Sequence, residues 1–339
     1  MAQHYLLSSA SKTISLIEIA EMSDEEAFEL FKKTRWSENN GNPVCPKCGN
    51  IQKIYTLKTG RFRCGESQCR HTFSVTSGTD FHSRKMKLKK YLYIIASFAC
   101  ASKGISALQV SREIKMTHKS AWVRMQKLRK NLEEHNWGEK FSGVCHIDGV
   151  YVNHYVRPAN KIENRVDRRK VYKPNKRVVI SIRLLSYLQD RGVGAQKTKV
   201  FVLKTENAEE IKKIVYKHVW FGSEIHADEN VAYDDLGGAY DLKRVNHKIE
   251  YMGDNGENNN QCESFNARLR RAFKGQFHKV STLYLSLYAN EIAYREDNRR
   301  KSTGEIFHDL LSKSLKSEPS NEFTGYWQGN KRLVERLGA

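Results

Sequence analysis

The chain has 339 residues, enough for one large domain or two to three small ones, and its 39% hydrophobic and 10% aromatic content excludes a disordered protein. With 58 Lys and Arg against 38 Asp and Glu, the net charge is +20, which favours a polyanionic partner, nucleic acid ahead of a membrane surface. No apolar run of about 18 residues is present to span a bilayer, and the opening MAQHYLLSSASK lacks the apolar core of a signal peptide, so a cytosolic protein without a membrane partner is expected.

Residues 1–40 read as helical. Ser23 and Glu26 make a capping box ahead of Ala27, Phe28, Leu30 and Phe31, and WSENNGNP then breaks the helix. Residues 41–81 hold four of the seven cysteines: Cys45, Cys48, Cys64 and Cys69. Their Cys-x2-Cys and Cys-x4-Cys spacings are knuckles that can close a tetrahedral zinc site with four thiolates, and a ribbon of this size needs the metal to fold. His71 is an alternative fourth ligand. Lys47, Lys53, Lys58, Arg61, Arg63 and Arg70 make the ribbon basic enough to touch DNA. Cys100, Cys145 and Cys262 read as single buried thiols, and the odd total argues against a disulfide framework.

Residues 82–137 read as helices. Ile105–Ile114, a KMT turn and His118–Leu128 have the lengths of a helix-turn-helix. Thr117 caps the second helix, which is expected to carry Lys119, Ser120, Arg124 and Lys127 outward toward DNA while Ala121, Trp122, Met125 and Leu128 pack inward.

From residue 138 the texture turns to strands. Strands are expected over 143–156, 177–188, 198–204, Glu224–Ala227 and near Lys248–Met252, with helices over Asn207–Val219, the Glu263 stretch and Thr282 to about Arg299. The loop 157–177 holds nine Lys and Arg against two acids. It is expected to grip phosphates, with Arg168, Arg169 and Lys170 among its contacts. Residues 301–339 read as a polar tail.

Asp148 sits inside an apolar strand, where an unpaired carboxylate is expensive. Asp228 closes a short strand. Glu263 shares a helix face with Ala267, Arg270 and Lys274, while Phe265, Leu269, Ala272 and Phe273 fall on the side that can be buried. A strand Asp, a strand-end Asp and a helix Glu within β-β-β-α-β…α describe a ribonuclease-H-like core whose acids converge on one sheet edge. Such acids suit two Mg²⁺ (or Mn²⁺) ions per active site, because hard cations take oxygen ligands and an ion pair can serve phosphodiester chemistry. The fold class is therefore multidomain: zinc ribbon and helix-turn-helix, followed over 138–300 by an α/β domain with a mixed sheet flanked by helices.

Several motifs occur together in one order: Arg35-Trp36 before CPKCG, RCGESQCRHTFSVTSGTDF, KGISALQVSREIKMTHKSAW, HIDGVYV, HADENVAY, ESFNARLRRAFKGQFHKVS and YANEIAYREDNRR. In these the chain resembles the zinc-ribbon DDE insertion-sequence transposases of the ISXO-like group. The resemblance implies that Asp148, Asp228 and Glu263 are the catalytic, magnesium-binding acids. Arg270 or Arg271 then stands as the basic residue after the third acid, and His278 as the His of a G-x-(F/Y)-H element; with Lys274 these are further DNA contacts. It also implies binding of an element's terminal inverted repeats, cleavage and strand transfer on double-stranded DNA, a homodimer or larger assembly, and work at the bacterial nucleoid. Two departures stand out. Gly149 follows Asp148 where many relatives have an acid, and an Asn in some relatives' third position keeps Asn260 open as a ligand. The rivals are an inactive DNA-binding regulator and a nuclease without strand transfer.

Overall fold

The computed structural model describes residues 5–135, 138–153, 159–167, 170–185, 194–245 and 257–338. Two compact units divide the chain: Met1–Leu132 with Asn298–Arg332, and Glu133–Asp297 with Leu333–Ala339.

In the first unit, α1 (Leu16–Glu21) and α2 (Asp24–Arg35) each open on a capping box, Ser15 with Glu18 and Ser23 with Glu26. Each box satisfies backbone N–H groups that a helix start leaves without partners. β1 (Ile54–Thr56), β2 (Phe62–Cys64) and β3 (Thr72–Phe73) form a small antiparallel sheet in that order. Its core is aromatic, with the Phe62 ring 5.6 Å from Phe73 and 5.4 Å from Trp36. α3 (Leu88–Cys100) is buried along most of its length and packs on α1 and α2. α4 (Ala107–Glu113) and α5 (His118–His135) follow, and Thr117 Oγ1 accepts from the Ser120 N–H at 3.3 Å as an N-cap. The second helix thus continues beyond the Leu128 end expected from sequence.

In the second unit, β4 (Val144–Val152), β5 (Arg177–Leu185) and β6 (Ala195–Leu203) form an antiparallel meander. α6 (Ala208–His218), capped by Asn207, leads to β7 (Glu224–Ala227), which pairs parallel to β4. A 3-10 turn at Val231–Gly238 leads to β8 (Asp241–Arg244), which completes the order β6-β5-β4-β7-β8. β8, with the polar sequence DLKR, is not expected from the sequence pattern; the strand expected near Lys248–Met252 lies outside the described residues. α7 (Asn260–Ala272) and α8 (Leu285–Asp297) follow.

Side chains alternate across a strand. Cys145, Ile147, Ile180, Ile182 and Phe201 therefore face α6 and Tyr233. Val150, Val152, Val179, Val200 and Val202 face α7 and α8. Asp148 falls on the α7 side and Gly149 on the other.

The stretch expected as a polar tail holds α9 (Thr303–Lys316). Ser302 and Glu305 cap it, and Phe307, Leu310, Leu311 and Leu315 are buried where it packs on α2 and α3. Its Lys and Ser residues dilute the apolar stripe in the sequence. Further on, within the second unit, Arg177 grips both oxygens of Glu335 at 2.8 Å. Among the described residues no helix is long and apolar enough to cross a membrane.

Candidate active site and zinc centre

The four ribbon cysteines converge. Cys45 and Cys69 sulfurs lie 3.7 Å apart and those of Cys48 and Cys64 3.6 Å apart, and all four lie within 4.8 Å of one another. Thiolates about 2.3 Å from a tetrahedral zinc are separated by about 3.8 Å, so the group fits that ion. Burial alone would raise the Cys45 thiol, but hydrogen bonds from the backbone N–H groups of Cys48 and Lys47 bring it down to about 7. His71 lies outside this group and stacks on Phe73. Cys145 and Cys262 are buried, but Cys100 is exposed at the end of α3, correcting the reading that all three thiols are internal.

The acids are placed by sheet register. Ile147 and Ala227 are the last pair between β4 and β7, so Asp148 and Asp228 follow on neighbouring strands. Asp148 is held from two sides: the Gly149 N–H donates to Oδ1 and the Asn266 amide to Oδ2, each at 2.7 Å. Burial, then the like charge of Asp228, push its carboxyl up to about 7. Asp228 accepts from the Asn230 N–H at 3.0 Å. Buried Asn259 donates to the Ile147 carbonyl at 3.0 Å. Among the described residues, the side-chain oxygens of Asn259 and Asn266 are buried without a hydrogen-bond partner. Oxygen ligands on neighbouring strands at Asp148 and Asp228 suit a hard divalent cation, although Asp148, Asp228 and Glu263 do not all come within 4.8 Å of one another.

Below the acids, His146 and His226 stack as a register pair, with ring centroids 4.9 Å apart. Burial, then the neighbouring His226 and Arg183 charges, bring His146 down to about 3. Arg183, fully buried, donates to the Gln261 carbonyl at 2.6 Å and to Glu296 at 3.2 Å. This pins the first turn of α7 to β5. Cys262, next to Glu263, points away from it, toward the Ser181 carbonyl.

Residues 140–297 match the family model described as the ISXO2-like transposase domain, and residues 22–72 match the transposase zinc-ribbon domain. The chain belongs to the ISXO2-like zinc-ribbon transposases. No curated protein matches it.

The remaining candidate residues of the transposase fall into distinct settings. Glu263 is exposed on α7, one turn before Asn266 and on the face that also carries exposed Arg270 and Lys274. Asn260 is exposed at the helix start. Arg271 donates to the Ala267 carbonyl, and His278 is exposed at a left-handed φ of 55°. In the first unit Lys119 is exposed, its Nζ 5.2 Å from the Tyr326 ring centre, and Ser120 bonds Thr117. Arg124 and Lys127 do not point outward as the helical wheel implied. Arg124 lies over the Tyr91 ring, and Lys127 donates to the Asp80 carbonyl at 2.7 Å with the Asp80 carboxylate 3.4 Å away. The buried acid Asp80 draws in Lys127, and the Tyr91 ring holds Arg124. Of the basic loop, Lys170 is exposed and Arg168 and Arg169 lie outside the described residues. Glu291, another acid on a helix, makes an i,i+4 pair with Arg295 at 2.8 Å.

Two neighbours of Asp148 and Gly149 are not singled out by the sequence pattern. Asn266 looked like an ordinary polar residue of α7, although it sits one turn past Glu263. Glu206 looked like a loop acid ahead of α6, yet its carboxylate lies against Gly149 and takes a hydrogen bond from Tyr233. Burial raises Glu206, partly offset by that bond, and Asp228 raises it further.

Proposed function

We propose that this transposase binds the terminal inverted repeats of its element, hydrolyses a phosphodiester at each end, and joins the freed 3′-hydroxyl to target DNA. The observation that carries the reading is the side-by-side exit of Asp148 and Asp228 from β4 and β7, within the matched transposase domain. Asp148 and Asp228, with Glu263 from α7, would hold two Mg²⁺ or Mn²⁺ ions in a ribonuclease-H-like arrangement. When bound, such ions activate an attacking oxygen and stabilise a leaving one at phosphorus. Asn266 and the Gly149 N–H keep the Asp148 carboxylate in one orientation, and Arg183 holds the α7 start against the sheet. In the first reaction the water oxygen forms a bond to phosphorus, the bond to the 3′-oxygen breaks, and that oxygen takes up a proton. In the second the 3′-oxygen attacks a target phosphodiester and displaces a 3′-oxygen there. Asp148, near neutrality in its proton affinity before cation binding, would give up its proton as the ions load.

Recognition of the ends falls to the zinc ribbon and the α4–α5 pair read as a helix-turn-helix, with exposed Lys119 and half-buried Ser120 as its contacts. The exposed basic segment around Lys170 and the Arg270, Arg271, Lys274 and His278 row add backbone grip. Bringing two ends together calls for a dimer or larger assembly, acting at the nucleoid in the bacterial cytoplasm.

The test is Mg²⁺-dependent cleavage and joining of a labelled element end by wild type and Asp228→Ala. Joined product that vanishes in the variant supports the reading. Binding of several candidate ends with no cleavage by either protein would instead make this a regulator, and cleavage without joined DNA a nuclease.

A further inference from the structure

The clearest departure in the active-site strand is Gly149, directly after Asp148. A Cβ built on this glycine would stand 2.5 Å from Oε1, 2.8 Å from Cδ and 2.9 Å from Oε2 of Glu206. The strand therefore has no side chain here because a carboxylate from elsewhere fills the space. Glu206 arrives from the loop three residues beyond the end of β6, and the buried Tyr233 hydroxyl donates to its Oε1.

Gly149 faces the opposite side of the sheet from Asp148, which would ordinarily separate Glu206 from the other acids. The register removes that separation. β7 pairs with β4 only as far as Ile147, while β4 runs on to Val152. Beyond Ile147 no described residue pairs with the β7 side of β4, and Asp228 lies there. Groups from both faces can meet at such a place. On the other side Asn266, 3% exposed, holds Asp148 while its own side-chain oxygen has no partner among the described residues.

We propose that Glu206 is a further acid of the divalent-cation site, supplying from the loop the carboxylate that β4 lacks at Gly149. The inference rests on the transposase reading above and adds a residue to it. The competing explanation is that Glu206 serves only as the acceptor for Tyr233. The two differ in what charge removal does, because Gln keeps an acceptor for the hydroxyl and loses only the negative charge.

The experiment is a Mn²⁺ titration of the full zinc-loaded chain, following the free-ion signal by electron paramagnetic resonance, with a thermal melt of each cation-free variant as a control for folding. Glu206→Gln should melt as wild type does and bind Mn²⁺ about 10–100-fold more weakly, the loss typical when a supporting group of a metal site is removed. Gly149→Glu combined with Glu206→Ala moves the carboxylate from loop to strand, the alanine removing the three atoms that a Cβ at position 149 would meet, and should regain most of the affinity. That double variant also decides the matter if the single one folds poorly. Wild-type affinity in Glu206→Gln, alongside lost binding in Asp228→Asn, overturns the role of Glu206 and leaves the transposase site standing. Equal Mn²⁺ binding in wild type and Asp228→Asn overturns the site itself, and Glu206 with it.

Discussion

The Asn266 amide donates to Oδ2 of Asp148 at 2.7 Å, tying α7 directly to the middle of β4. The contact matters because a carboxylate beside a second acid has no intrinsic reason to stay in one rotamer. With the Gly149 N–H on Oδ1, both oxygens are spoken for from the protein side. Asn266→Ala should slow single-turnover cleavage of a saturating labelled end by about 10–100-fold, as loss of an orienting partner does at metal sites. Affinity for the end should be unchanged. Unaltered cleavage would mean that Asp148 is oriented by other groups.

The crowding at Asp148 should also appear in the pH dependence of stability. Its carboxyl titrates near 7 in the fold against an ordinary 3.8. Between those values the folded chain binds more protons at this site than the unfolded chain, so stability falls as pH rises. The penalty is absent below the lower value and complete above the upper one, where it is on the order of 4 kcal/mol. In Mg²⁺-free buffer Asp148→Asn should therefore be more stable than wild type at about pH 8, and the gap should close toward about pH 4. Adding Mg²⁺ at the higher pH should restore stability to wild type alone, since a ligand of the folded state stabilises it. Denaturant midpoints measured across this range are the check; a gap independent of pH would mean the Asp148 charge is already compensated.

Removal of one zinc ligand should disturb more than the metal. Trp36 is buried against Phe62, whose strand neighbour Cys64 is one of the four clustered cysteines. Cys64→Ser is expected to lower bound zinc from about one ion per chain toward none, because a ribbon this small depends on its metal. The Trp36 environment should then open and its emission move to the red. In a Trp36→Phe background the same substitution should leave the emission maximum where it was. Full zinc occupancy in Cys64→Ser would assign the fourth ligand elsewhere.

Much of this arrangement is legible in the sequence, for definite reasons. Cysteine spacing identified the zinc cluster, since two knuckles leave few other geometries. Asp148 and Asp228 stood out as acids where strands should be apolar, and the capping box at Ser23 and Glu26 marked a helix start. What escaped depends on contacts between distant segments. The approach of Glu206 to Gly149 spans 57 positions of sequence and leaves only the glycine itself as a trace. The helical wheel sent Arg124 and Lys127 outward because the wheel contains neither Tyr91 nor Asp80; an aromatic ring from another segment draws in the first and a buried acid the second. Likewise α9 was hidden because its apolar stripe is broken up by Ser and Lys in the one-dimensional pattern.

Lys119 and Lys127 share a helix and were expected to contact DNA together, but their surroundings divide them. Lys119 is exposed, resting near the Tyr326 and Trp327 rings, so a phosphate can reach it. Its removal should lower affinity for element ends and reduce the slope of log K against log salt by about 0.9, the contribution of one released counterion. Lys127 is engaged with Asp80, which is 1% exposed and also bonded by Asn131. Lys127→Ala leaves that acid buried without its cation and should cost about 3 kcal/mol of stability, as breaking a buried pair does. The salt slope of Lys127→Ala should stay at the wild-type value under conditions where the variant remains folded. Salt titrations of end binding, paired with denaturant unfolding, separate the two lysines. A reduced slope in Lys127→Ala with intact stability would show that the lysine leaves Asp80 for the DNA backbone on binding.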